Sequence, residues 1–375
     1  MTNAAVLFEE RASKANRKIA IATLNTEKTL NSLTLEMVDL LYAQLLKWQQ
    51  DDEISCVFLH GAGPKAFCAG GDVQQLYHSA IEQPGGPCEY AETFFEREYR
   101  LDYLLHTFNK PIICWGHGIV MGGGLGLMAG CSHRVVTERT RMAMPEITIG
   151  LFPDVGGSWF LNRMPGRIGL FLGLTAAKMN AADCIYTGMA DRFIENAQME
   201  EVLASIEAID WQGDNTEHSG QITAVLRRFE QQSLAAKPTG NIPAHYDSIQ
   251  QLTDQNSFYD IVDAIIKQPS EDPWMSAAAA ALNHGSPISA CSINQTLSNT
   301  KHMSLAEVFQ YELMLVTNTV RNPEFVEGVR ALLIDKDKSP RWQYDSVRAV
   351  PPEVLQKLTT PPWPVNPLAD LKPLA

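Results

Sequence analysis

Ser55-Cys56-Val57-Phe58-Leu59-His60, followed by Gly61-Ala62-Gly63-Pro64, is an unbroken apolar run stopped by a turn. A short run of this kind, bounded by glycine and proline, reads as a strand buried on both faces. Upstream, Lys18-Ile19-Ala20-Ile21-Ala22-Thr23-Leu24 reads as another strand, and between the two a helix is expected. Thr34 caps it, and Met37, Leu40, Leu41, Leu45 and Trp48 recur at helical spacing. Strand, helix and buried strand in succession predict a mostly parallel sheet covered by helices. Downstream the pattern continues with strands at Pro111–Gly116, Arg134–Thr137, Arg141–Ala143 and Asp191–Ile194, and helices at Leu170–Leu174 and Ala181–Tyr186. Beyond about residue 195 strand patterns vanish. The expected organisation is an α/β core over residues 1–195 and a mainly helical C-terminal extension over 196–375, ending in a Pro-rich surface tail at Pro361-Pro362-Trp363-Pro364.

Composition limits what such a chain can do. With 375 residues, 45% hydrophobic and 19% charged, it can bury a sizeable core, and no run of eighteen apolar residues suggests a membrane span. A net charge of −13 argues against a general nucleic-acid binder, which needs clustered Lys and Arg, but leaves room for a small anionic ligand. Seven cysteines lie scattered without a CxxC pair, which favours reduced thiols over a disulfide framework or a zinc site. His117 and His133 share no metal-ligand spacing and read as structural, so no metal is expected.

Two glycine-rich turns occupy the same station, where a strand ends and a helix opens: Lys65-Ala66-Phe67-Cys68-Ala69-Gly70-Gly71-Asp72 and Gly118-Ile119-Val120-Met121-Gly122-Gly123-Gly124-Leu125-Gly126. Glycines there either permit a tight turn or expose backbone N–H groups to a ligand. Neither cluster is a phosphate loop or a dinucleotide fingerprint. A third stretch, Met144-Pro145-Glu146-Ile147-Thr148-Ile149-Gly150-Leu151-Phe152-Pro153-Asp154-Val155-Gly156-Gly157, sets two acids in an apolar loop shaped by Pro and Gly. Asp154 could be only a helix N-cap; Glu146 has no comparable structural use. Glu98 lies on the apolar stripe Phe94, Leu101, Leu105 and Phe108 of the helical stretch Ala91–Phe108. Helical geometry turns it inward, where it is hydrogen-bonded, protonated or facing a cavity, unless it simply forms a buried ion pair. No GxSxG elbow or Cys–His–Asn signature offers a conventional nucleophile.

Taken together, these three stretches resemble the enoyl-CoA hydratase/isomerase (crotonase) superfamily and, within it, its 3-hydroxyisobutyryl-CoA hydrolase branch. Glu327-Gly328-Val329-Arg330-Ala331-Leu332-Leu333-Ile334-Asp335-Lys336-Asp337-Lys338-Ser339-Pro340-Arg341-Trp342 matches that branch specifically, without suggesting a role. The resemblance implies a crotonase-like ββα superhelix core and an acyl-CoA substrate, with CoA as part of the substrate and no separate cofactor. It implies that the Gly71 and Gly123 N–H groups form an oxyanion hole, that Glu98, Glu146 and Asp154 contact the substrate, and that Lys28 lies near the CoA. Glu146 and Asp154 would be catalytic, with Glu146 either nucleophile or general base. Hydratases of the family place a first glutamate three residues after the oxyanion-hole glycine, and here that position is Gly126. With half of the acid/base pair missing, hydrolysis of a short-chain 3-hydroxyacyl-CoA is the expected activity, and hydration or isomerisation of an enoyl-CoA, with Glu98 as substitute acid, is the alternative. A homo-oligomer is compatible with the family. The N-terminal residues lack both an apolar secretory segment and an acid-poor presequence, so a bacterial cytoplasm is expected ahead of a mitochondrial matrix.

Overall fold

The structure, a computed structural model, describes residues 4–268 and 270–372. Among the described residues nine strands are formed: β1 (Val6–Ala12), β2 (Lys18–Leu24), β3 (Ile54–Gly61), β4 (Ala66–Cys68), β5 (Ile112–Gly116), β6 (Ile119–Met121), β7 (His133–Val136), β8 (Arg141–Ala143) and β9 (Arg192–Phe193). A six-stranded sheet has the order β1-β2-β3-β5-β7-β9 and a three-stranded sheet the order β4-β6-β8. From β2 to β9 the large sheet is parallel, as its buried strands predict, and only β1 runs antiparallel, with Val6 opposite Leu24.

Three consecutive ββα repeats supply the small sheet and the β3, β5 and β7 strands of the large one. In each, the first strand (β3, β5, β7) enters the large sheet and the second (β4, β6, β8) the small one. A helix follows at Val73–Glu82 and Gly123–Ala129, and a 3-10 turn at Glu146–Ile149. The two glycine clusters and Glu146 therefore hold the same position in successive repeats, immediately after the second strand. This corrects the sequence reading, which took Lys65–Asp72 for a turn and Gly118–Gly126 for a helix opening; each contains a three-residue strand. β1 was also not expected, because its Glu9, Glu10 and Arg11 give it the charged character of an edge.

The chain forms two compact units. One comprises residues 1–71, 101–142 and 179–244 and contains the large sheet. Ile19, Phe58, Trp115 and Val135 of that sheet pack with Val202, Leu203 and Ile206 of the helix Met199–Glu207, and with Ile222, Leu226 and Phe229 of the helix Asn215–Ser233. The other comprises residues 72–100, 143–178 and 245–375. The units do not follow the expected 195/196 division. Helices up to residue 244 complete the first unit because its sheet residues need an apolar cover, although every described element after β9 is indeed helical. The Pro-rich tail is anchored within the second unit: Arg100 donates to Pro367 O at 2.6 Å and Gln310 to Leu368 O at 3.1 Å, and Leu368 is buried.

Candidate active site

In the first unit, β4 and β6 pair in parallel and deliver Gly70-Gly71 and Gly122-Gly123 from neighbouring strand ends. Gly122 adopts φ 50°, ψ −125°, a conformation open essentially to glycine, and a Cβ on Gly124 would lie 2.3 Å from Cys68 O. Such close packing keeps the two turns in fixed register. Gly123 is the first residue of its helix, so its N–H has no intrahelical acceptor. Lys28 is exposed in the 3-10 turn Glu27–Thr29 of the same unit. Its loop is tied to the Gly70 turn by Leu33 N to Gly70 O (2.8 Å) and Ala69 N to Leu30 O (3.1 Å).

In the second unit the three predicted acids come together. Glu98 projects from the helix Glu89–His106, Glu146 opens the 3-10 turn, and Asp154 follows it; their exposures are 2%, 5% and 5%. Among the described residues no cation pairs with any of them, so the ion pair considered for Glu98 is not formed. Glu98 Oε1 and Glu146 Oε2 are buried without a hydrogen-bond partner. Asp154 Oδ2 accepts from Tyr99 Oη at 2.6 Å. Nor is Asp154 an N-cap: the residue capping the helix Gly157–Leu161 is Gly156.

Burial and mutual repulsion set the protonation of this trio. Glu98 is raised well above the ordinary value by burial, then by the charges of Asp154 and Glu146. Burial likewise raises Glu146, and Asp154 adds to it. Burial pushes Asp154 up to about 6, while the Tyr99 hydroxyl holds it down. The Asp154 charge therefore adds to the effect of burial on both glutamates, and the three carboxyls titrate as one coupled group. Carboxyls kept neutral can donate hydrogen bonds, and one that ionises near neutrality can act as a base.

The Glu146 turn is backed by the stretch to which sequence assigned no role. A Cβ on Gly328 would lie 2.5 Å from the Ile149 carbonyl carbon, so the helix Pro323–Val329 touches the turn backbone to backbone. Glu327 receives both arms of Arg330, at 2.9 and 2.8 Å, and Arg341 N at 2.6 Å, which folds the loop onto this helix. Trp342 Nε1 reaches His284 O at 2.9 Å, two residues before Ser286, whose N–H donates to Ile147 O at 3.0 Å. Gly328→Ala should therefore cost about 1–3 kcal/mol through overpacking and lower turnover by displacing Glu146. Thermal unfolding and activity check this, and an unchanged Tm would refute the close packing.

Two residues of the site escaped the sequence reading. Tyr99 carries no signal beyond its place beside Glu98. Glu312, fully buried on the helix Leu305–Val320, has the same signature as Glu98, an acid on an apolar stripe formed by Leu305, Val308, Phe309, Leu313 and Val316.

Residues 19–359 match the model of the enoyl-CoA hydratase/isomerase family. The chain belongs to this family. A zebrafish (Danio rerio) relative named 3-hydroxyisobutyryl-CoA hydrolase, mitochondrial, is 36% identical over 94% of this chain and 88% of its own length. Crystal structures of two other members superimpose closely: an enoyl-CoA hydratase from Rhodobacter sphaeroides at 33% identity and TM-score 0.81, and a carnitinyl-CoA dehydratase from Mycobacterium thermoresistibile at 31% identity and TM-score 0.84. Each covers 96% of this chain and 98% of its own. Family membership thus establishes the crotonase fold of this enoyl-CoA hydratase/isomerase family member, and the differing names of its relatives leave the choice of reaction to the site residues.

Proposed function

We propose that this family member hydrolyses a short-chain 3-hydroxyacyl-CoA, foremost 3-hydroxyisobutyryl-CoA, to 3-hydroxyisobutyrate and CoA, a reaction of valine breakdown. The carrying observation is the buried acid trio with no cation partner among the described residues, in which two carboxyl oxygens lack partners. Buried polar groups in a folded protein normally find partners, so an orphaned pair marks where a polar substrate supplies them. In the proposed reaction the thioester carbonyl accepts from the Gly71 and Gly123 N–H groups. Glu146 either removes a proton from the attacking water or itself bonds to the acyl carbon, forming an anhydride that water then opens. In both routes the carbonyl electrons pass to the oxygen and return, the C–S bond breaks, and the thiolate leaves and takes up a proton. Glu98, which keeps its proton further up the pH scale than an ordinary carboxyl, donates to the substrate hydroxyl, and Asp154 orients water. Water is the only co-reactant, and Lys28 serves the CoA phosphates. Seven buried free thiols support a reducing, cytoplasmic setting.

Thiol release from 3-hydroxyisobutyryl-CoA tests this reading, and absence of release refutes it. Isobutyryl-CoA, lacking the hydroxyl, should show kcat/KM lower by roughly tenfold to a hundredfold, the cost of leaving buried polar groups unpaired. Equal rates for the two esters would remove the hydroxyl from the recognition scheme. The hydratase and dehydratase names of the two solved relatives favour a second reading, addition of water to an enoyl-CoA. Loss of enoyl absorbance without thiol release would support it, whereas Gly126, where a second glutamate is required, counts against it.

A further inference from the structure

The helix Gly157–Leu161 starts from Gly156, which has no side chain to cap it. Its capping carboxylate comes from a distant helix. Glu312 Oε2 accepts from Gly156 N at 2.8 Å, and Oε1 from Ser158 N at 2.9 Å and Ser158 Oγ at 2.6 Å. The turn held in this way is strained at Val155, which is β-branched and sits at φ 53°, before Gly156 continues it at φ 81°, open to glycine. A β-branched residue in the left-handed region persists only where its surroundings over-determine it. Phe309, one helical turn before Glu312, supplies more of those surroundings. Its ring lies 5.7 Å from that of Tyr99, and its Cζ would be 3.3 Å from a Cβ on Gly156. One face of the helix Leu305–Val320 thus holds both the backbone after Asp154 and the tyrosine that hydrogen-bonds its carboxylate.

We propose that Glu312 is a positioning residue for hydrolysis: by capping Gly156 and Ser158 in place of Asp154, it locks the strained turn and leaves the Asp154 carboxylate to Tyr99 and the substrate. The assignment rests on the hydrolase reading above. An ordinary N-cap would come from within the turn and would occupy the acid next to it. Importing the cap separates the two tasks, so that the acid which orients water does not also have to cap the helix. Burial pushes Glu312 up to about 8, against the pull of its three donors, so the capping group is itself held at a cost.

Glu312→Gln retains one acceptor oxygen but turns an amide N–H₂ towards one of the donors, and Glu312→Ala removes every acceptor. With 3-hydroxyisobutyryl-CoA, kcat should fall about tenfold in the Gln variant and about a hundredfold in the Ala variant, the scale of a misplaced catalytic group, with KM within about twofold of wild type. Hydrogen exchange of the Gly156 and Ser158 amides should accelerate in the same order. If the Ala variant does not fold, the near-isosteric Gln variant decides. Unaltered kcat in the Gln variant, or unaltered exchange at those amides, overturns the positioning role while wild-type thiol release upholds the hydrolase reading. A wild-type chain that releases no thiol refutes that reading and, with it, the step Glu312 is placed to serve.

Discussion

Glu146→Gln should lower thioester turnover by about 10³-fold, within the range of about 10²–10⁴ that a positioned acid or base supplies, while leaving binding of the CoA ester measurable. Gln preserves the volume and one acceptor oxygen, so the packing around position 146 is kept. It cannot attack as a carboxylate or take a proton from water, and both candidate roles of Glu146 are lost together. Thiol release with saturating 3-hydroxyisobutyryl-CoA, set against a binding isotherm for the same ester, measures the two quantities separately. Near-normal turnover would remove Glu146 from the reaction.

The same variant should change stability with a definite sign. Burial raises Glu146 above its ordinary value, so the native chain binds this proton more tightly than the unfolded chain. Native stability is then lost as pH rises from the unfolded value, about 4.3 for Glu, through the raised native one. Gln carries no such proton. The Tm of Glu146→Gln should exceed that of wild type by an amount that grows as pH rises from the unfolded value towards the raised native one, in keeping with the cost of maintaining buried acids for function. A gap that stays constant with pH would show that Glu146 is not raised.

What sequence revealed of this site follows from how local each signal is. Glu98 was legible because an acid interrupting a 3.6-residue apolar stripe is anomalous within its own helix. Glu312 interrupts Leu305, Val308, Phe309, Leu313 and Val316 in the same manner and was as legible by that criterion. Asp154 was legible as an acid, but its role was not, because the choice between a cap and a free carboxylate depends on a helix more than 150 positions away. Tyr99 acts only because tertiary packing brings its hydroxyl to an acid 55 positions along the chain. In the fold, the long buried strands declared themselves through continuous apolar runs. β4 and β6, with three residues each, are too short for any periodicity and are defined by pairing with one another. The ββα repeat was therefore visible only through family resemblance, while its parallel sheet was visible from the residues.

Asp154→Asn should lower kcat by about 10²-fold, the penalty for a misplaced reactant, and should also shift the pH profile. Glu146 must be ionised to attack or to accept a proton, so kcat/KM falls as pH drops through its ionisation. The groups acting on Glu146 make that limb unusual for a carboxylate: burial raises it, and the Asp154 charge, itself present only above about 6, raises it further. Glu98 titrates in the same cluster, Tyr99 donates to Asp154, and Glu312 lies behind it, so the observed limb belongs to the group as a whole. In wild type the limb should therefore lie above the ordinary carboxylate value, about 4.3 for Glu, in the direction that burial and the Asp154 charge push Glu146. Asn removes the negative charge while keeping the shape of the side chain and an acceptor for Tyr99. Glu146 then ionises more readily, and the acid limb of the residual activity should move to lower pH, although the rate at its plateau is reduced. A limb that stays in place would mean that burial alone sets Glu146, and a limb near the ordinary carboxylate value in wild type would mean that bound substrate, or some other group, already relieves the repulsion among the three acids.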